Sequence, residues 1–291
     1  MTGMMLEPTH AGPGKPVRHY TVQGGGGVTL RAREWGNSEG PGILFVHGWS
    51  QCDLCWRRQV AGALAARFRL ITFDNRGHGE SDKPRDADSY REGRLWADDL
   101  AAVIEETRLE KPVVVAWSYG GLIVTDYIRF HGESNVAGID LVGGAVLLRP
   151  PRFDHVGPGL LENAQDACAP DLAANIEATR RFLRACTVQP LHEDLWSAAL
   201  CWNMVVPPEI RGALFARRID ADDVLASLSI PVLVTHGRDD RIILPSMAKH
   251  TLAVCGTATA SWYDGVGHMP FVEDTVRFDR ELAEFVDGVQ P

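Results

Sequence analysis

Residues 112–117 form an unbroken apolar run, and beyond Ser118-Tyr119-Gly120-Gly121 apolar side chains recur at Leu122, Ile123, Tyr127 and Ile128. The first pattern fits a strand buried on both faces and the second fits one face of a helix, which predicts a sharp turn at Ser118. Further apolar runs at 42–47, 70–75, 136–144, 230–236 and 258–263 predict more strands. Two strands at 17–22 and 28–35 open the chain as a hairpin: Val28, Leu30 and Ala32 alternate with Thr29, Arg31 and Arg33, and four glycines, 24–27, supply the turn. Helical spacing appears at 54–68, at 89–109 through Trp96, Leu100, Val103 and Ile104, and near the end through Phe278, Leu282, Phe285 and Val286.

The alternation of strand and helix breaks once. Between 145 and 228 four helical patterns (160–167, 171–186, 193–204 and 208–219) follow one another with almost no strand signal. The chain therefore reads as an α/β protein: a mostly parallel eight-stranded sheet flanked by helices over 17–144 and 229–291, with a helical cap, 145–228, inserted above the C-terminal edge of the sheet. Residues 1–16, broken up by glycine and proline, read as a flexible lead.

Composition narrows the field. A chain of 291 residues, 45% hydrophobic and 23% charged, can bury one large core. Its net charge of −9 argues against a nucleic-acid partner, which needs clustered Lys and Arg. No stretch is long enough to span a bilayer, none is a basic amphipathic anchor, and Met4-Met5-Leu6 is too short for the core of a signal peptide. A cytoplasmic protein without membrane partners is expected, and a homodimer is left open. Without a secretory signal the six cysteines predict free thiols. Cys52-Asp53-Leu54-Cys55 has the spacing of a redox or metal pair but lacks a second ligand pair, so no metal is expected.

The candidate chemistry starts from Ser118, flanked two residues away by the small Ala116 and Gly120. A strand-to-helix turn this tight strains its central residue and needs small neighbours for the backbones to pass. His47-Gly48 ends another strand, where a glycine lets the next amide swing out of the sheet. The turn-rich stretch 73–84 is expected to hydrogen-bond its own backbone beneath the serine. Asp239 and Asp240 lie just past the strand at 230–236, and either can reach the edge where Ser118 emerges. His268 sits in a loop after the last strand. A serine hydroxyl becomes a nucleophile only with a base in reach and an acid behind that base, and the chain offers Ser, Asp and His in that order.

Five ordered motifs carry a resemblance: His47-Gly48; Asp74-x-Arg76-Gly77-x-Gly79-x-Ser81-Asp82; Trp117-Ser118-Tyr119-Gly120-Gly121; His236-Gly237-x-x-Asp240-x-x-Ile243; and Gly267-His268. Over roughly 28–286 the chain resembles the α/β-hydrolase fold family in its capped, esterase- and lactonase-like branch. The resemblance implies Ser118 as nucleophile, His268 as general base, Asp240 rather than Asp239 as its orienting acid, and the backbone amides of Trp49 and Tyr119 as oxyanion donors. Ala116 departs from the family's usual first glycine. The implied reaction cleaves a small to medium hydrophobic ester or lactone without cofactor. Each oxyanion donor in such a site is worth about 3–4 kcal/mol in the transition state. Trp196, Trp202 and Met204 of the cap are candidate substrate contacts. Cofactor-free perhydrolases of haloperoxidase type, carbon–carbon bond hydrolases and small-molecule receptors on the same scaffold are the alternatives; dehalogenases and epoxide hydrolases use an Asp where this chain has Ser118.

Overall fold

The computed structural model describes residues 14–150 and 153–289. Most of the expected lead at 1–16 lies outside the described residues. The chain opens with β1 (Arg18–Gln23) and β2 (Thr29–Gly36), an antiparallel hairpin, and continues through β3 (Gly42–Val46). Next come α1 (Arg57–Ala61), β4 (Arg69–Asp74), α2 (Asp88–Arg91) and α3 (Gly93–Thr107). β5 (Val113–Trp117) leads into α4 (Gly120–His131), and β6 (Gly138–Val142) follows.

Two predicted helices are broken. The pattern at 54–68 is α1 between two short 3-10 turns, interrupted where Gly62 takes an extended conformation. The pattern at 89–109 splits into α2 and α3 at Glu92, also extended. Spacing alone carried both patterns through these breaks, because the apolar faces on either side keep the same period.

A two-residue strand, β7 (Leu147–Leu148), pairs antiparallel with β8 (Ile219–Asp220). Between them lie α5 (Pro158–Ala167), α6 (Leu172–Ala185), α7 (Glu193–Met204) and α8 (Pro208–Phe215). After α9 (Asp222–Ser227) the sheet resumes with β9 (Val232–Gly237), α10 (Pro245–Val254) and β10 (Ala258–Tyr263), and the chain closes with α11 (Pro270–Glu273) and α12 (Thr275–Val289).

Eight strands form one sheet in the order β1-β2-β4-β3-β5-β6-β9-β10; β2 pairs antiparallel with β1 and β4, and every later pairing is parallel. β5 is central and Val113 to Ala116 are fully buried. Each buried valine contributes about 1.5–3 kcal/mol of transfer free energy. Because β3, β5, β6 and β9 run parallel and side by side, their C-terminal ends meet at one edge, where open α/β sheets bind ligands. No helix among the described residues is long and apolar enough to cross a membrane.

Candidate active site

Ser118 follows β5 at that edge. Its φ of 56° is left-handed, which costs a non-glycine residue about 1–2 kcal/mol, and the fold maintains it. Its amide donates to the Val142 carbonyl at 3.0 Å, binding the turn to β6. A Cβ at Gly120 would stand 2.6 Å from the Val46 carbonyl oxygen, so only glycine lets α4 start this close to β3. Ala116 lies inside β5, paired with Val46 and Leu141, where its methyl is accommodated.

Asp240 and His268 meet. His268 Nδ1 lies 2.7 Å from Asp240 Oδ2, with both residues buried. Asp240 Oδ1 accepts the Ile242 and Ile243 amides at 2.8 and 3.0 Å, which leaves Oδ2 for the imidazole. Asp239 is exposed and takes no part. Trp117, next to Ser118, donates its indole to the His268 carbonyl at 2.9 Å. At Gly143, directly after β6, a Cβ would stand 3.0 Å from His268 Nδ1 and 3.3 Å from Asp240 Oδ2. Ser118, Gly143, Asp240 and His268 thus cluster at the ends of adjacent strands.

Tyr119 follows Ser118 in the chain, and Trp49 follows Gly48 in the turn after β3. A Cβ at Gly48 would come within 2.9 Å of the Ser118 Cβ, so the turn after β3 lies directly against the serine. Among the described residues neither the Trp49 nor the Tyr119 amide donates to a protein acceptor, whereas the amides beside them do: Ser50 to His78 Nε2 and Ser118 to Val142. Two amides without a protein acceptor in turns that adjoin a strained serine are able to hold a developing oxyanion.

The helices at 158–215 cover this edge through polar ties to the same turn. The Trp49 indole donates to the Arg211 carbonyl at 3.1 Å and the Trp202 indole to Gln51 Oε1 at 2.8 Å. Phe182 and Phe215 pack on the Trp49 ring with centroids 5.2 and 5.1 Å away. Of the three candidate substrate contacts, Trp202 therefore reaches the turn after β3, and Met204 lies against Arg211 with its sulfur 3.8 Å from Nη2. Trp196 lies instead under the Arg184 guanidinium at 5.3 Å, between α6 and α7. Phe182 and Phe215 have the spacing of ordinary helix core, so no sequence pattern sets them apart.

Two further groups brace the site. His236 Nε2 lies 2.9 Å from the Ile243 carbonyl and 3.4 Å from Asp240 Oδ2, and burial lowers its pKa. The Glu273 carboxylate accepts the Gly267 and Val188 amides at 2.8 and 2.7 Å, joining the histidine loop to the segment after α6. Burial raises its pKa.

Elsewhere the charged clusters are satisfied internally. Cys52, Asp53 and Asp74 bring potential metal-ligand atoms within 4.8 Å of one another. Yet Asp53 takes the Arg33 guanidinium and the Thr72 hydroxyl, and Asp74 takes the Asp53 and Glu80 amides, so Arg33 already supplies the cation. All six cysteines are free thiols. An open cleft of about 580 Å³ lined by Arg91, Asp126, Arg129, Arg217 and Asp220 shares no residue with the Ser118 cluster, and its charges pair with each other as Arg217–Asp126 and Arg129–Asp223.

This geometry is that of a hydrolase built on a doubly wound sheet, and the sequence matches the model of the alpha/beta hydrolase family over residues 43–281. The chain belongs to that family. It is similar to the esterase RhEst1 from Rhodococcus sp. ECU1013, with 35% identity, a TM-score of 0.89, and 94% of this chain and 99% of that one covered. It is 29% identical to a non-heme chloroperoxidase of Streptomyces lividans, over 85% of this chain and 92% of that protein. A bifunctional esterase/perhydrolase of Acinetobacter calcoaceticus is 26% identical over 89% of this chain and 96% of its own length.

Proposed function

We propose that the protein is a carboxylic ester hydrolase that works through an acyl-enzyme on Ser118. The observation that carries this reading is the buried His268–Asp240 pair beside a serine in a left-handed turn. Asp240 accepts a hydrogen bond from the Nδ1–H of His268 and so holds the tautomer whose Nε2 is free to accept the proton of the Ser118 hydroxyl. Ser118 attacks the ester carbonyl, and the Trp49 and Tyr119 amides hold the oxyanion. His268 then returns the proton to the departing alcohol. Water, deprotonated by the same imidazole, attacks the acyl-serine and releases the acid. These side chains and water suffice for both halves.

The aromatic enclosure of Trp49, Phe182 and Phe215, with Trp202 at its edge, supports a small to medium hydrophobic ester or lactone as substrate. The likeness to an esterase at 35% identity points the same way. A second reading rests on the relatives named as chloroperoxidase and perhydrolase. In it hydrogen peroxide replaces water on the acyl-serine, giving a peracid and free Ser118. Turnover of a short-chain p-nitrophenyl ester, and peracid formation when peroxide is added, distinguish the two. Ser118→Ala should lower either rate by at least about 10⁴-fold. Ester turnover that survives this substitution contradicts both readings.

A further inference from the structure

Two buried histidines that take no part in the reaction above stitch the turn after β3 to the turn after β4. His47 Nε2 accepts the Asn75 amide at 3.0 Å, and His78 Nε2 accepts the Ser50 amide at 3.2 Å. Each loop thus lends an imidazole to a backbone amide of the other. The second ring nitrogens meet carbonyls: His47 Nδ1 lies 2.9 Å from the Gly48 oxygen, with the Asn75 Nδ2 at 3.3 Å donating instead to the His47 carbonyl at 3.0 Å, and His78 Nδ1 lies 2.8 Å from the Arg76 oxygen. A nitrogen facing an N–H must accept and one facing a carbonyl must donate, so both rings are neutral and carry their proton on Nδ1. Their centroids are 5.1 Å apart, and both side chains are buried.

The amides of the turn at Gly48–Gln51 divide in a telling way. Gln51 donates to the Gly48 carbonyl at 3.3 Å, Ser50 donates to His78, and Trp49 has no acceptor among the described residues. Ser50 itself is left-handed, with φ of 59°, a conformation that needs an external hold. We propose that His78 is a positioning residue: by taking the Ser50 amide on Nε2 it holds the turn in the shape that leaves the Trp49 amide free for the oxyanion.

The surroundings keep the ring neutral. Burial, and after it the neighbouring His47 imidazole and the cations Lys83 and Arg211, lower its pKa well below the ordinary histidine value. The anchor is rigid, because the Arg76 carbonyl that receives Nδ1–H belongs to a residue paired with Asp99 at 2.6 Å. A protonated His78 would present N–H to N–H and release Ser50.

The inference rests on the acyl-transfer reading, and its test separates the two. In His78→Leu, kcat for a p-nitrophenyl ester should fall about 10- to 100-fold with KM within about threefold, since removing an oxyanion donor outright costs about 10²–10³. Affinity for an alkylboronic acid, a tetrahedral mimic, should fall by the same factor. His78→Gln, which keeps an acceptor and a donor, should recover most of the loss. A folded His78→Leu with unchanged kcat overturns the proposal, as does a Gln variant no better than Leu. Should the Leu variant not fold, ¹⁵N NMR of the wild-type imidazoles decides: Nδ1–H with an unprotonated Nε2 from about pH 5 to 8 is expected, and an Nε2–H tautomer or an imidazolium overturns it. Wild-type turnover that does not depend on Ser118 defeats the acyl-transfer reading and with it the oxyanion role, and the tautomer measurement then decides only whether His78 holds the Ser50 amide.

Discussion

Trp117, the last residue of β5, donates its indole N–H to the backbone carbonyl of His268 at 2.9 Å, so the strand that leads into Ser118 also grips the loop carrying the His268 imidazole. Its ring packs at the same time on Phe271, with centroids 5.0 Å apart.

Trp117→Phe keeps the aromatic packing and removes the donor, leaving a buried carbonyl unpaired at a cost of about 1–3 kcal/mol in stability. Because His268 loses its tether, kcat should fall by about tenfold with KM nearly unchanged. Steady-state kinetics alongside thermal melting check both; a lower melting temperature with unchanged kcat would make the tether purely structural.

Asp240→Asn preserves the shape of the contact with His268 Nδ1 and favours the wrong tautomer. The analogous change in a serine-protease triad lowers kcat by about 10⁴-fold, and a loss of that order is expected here. Asp239→Asn, at an exposed carboxylate, should leave kcat within about twofold of wild type. Equal losses in the two variants would refute the assignment of the acid.

The strain at Ser118 is open to a direct comparison. Ser118→Ala and Ser118→Gly both delete the hydroxyl, but only alanine keeps a Cβ at a φ of 56°. Relief of the left-handed strain, about 1–2 kcal/mol, outweighs or matches glycine's entropic penalty of about 0.5–1 kcal/mol. The glycine variant should therefore unfold at the same or a higher denaturant concentration than the alanine variant. A clearly less stable glycine variant would show that the turn is not strained.

How much of this was legible along the chain follows from what each feature depends on. β3 and β5 are short apolar runs, and complete burial on both faces leaves an uninterrupted signature for such strands. Position along the chain leaves Asp239 and Asp240 equivalent, and only the resemblance to the family's His-Gly-x-x-Asp pattern implies Asp240; the two backbone amides that clamp its carboxylate follow within three residues. The breaks at Gly62 and Glu92 were hidden because an apolar period continues across them. Helix α10 carried no clear stripe. The bonds of His78 to Ser50 and of Trp202 to Gln51 span 28 and 151 residues of sequence, so no local pattern announces them. Phe182 and Phe215 share the periodicity of residues that merely fill the space between helices.

Asp140, fully buried on β6, takes the Thr235 hydroxyl on one oxygen at 2.8 Å and leaves the other unpaired. Burial pushes its carboxyl from 3.8 up to about 7. A raised folded-state pKa means that the native state holds a proton which the unfolded chain has already lost. The associated stability is fully present below pH 3.8 and disappears as pH rises through about 7. Three units correspond to a contribution of order 4 kcal/mol. Asp140→Asn removes this slope, so its stability relative to wild type should rise between about pH 4 and pH 8. Urea melts at both pH values test it; parallel pH dependence in the two proteins would show that Asp140 ionises normally.

The central claim is that a covalent intermediate forms on one hydroxyl. Treating the protein with an alkyl phosphonate and mapping the adduct by peptide mass spectrometry tests it most directly. The account predicts one adduct, on Ser118, formed in step with loss of ester turnover and slowed severely in His268→Ala. An adduct on another residue, or full turnover by protein whose Ser118 is completely modified, would contradict it.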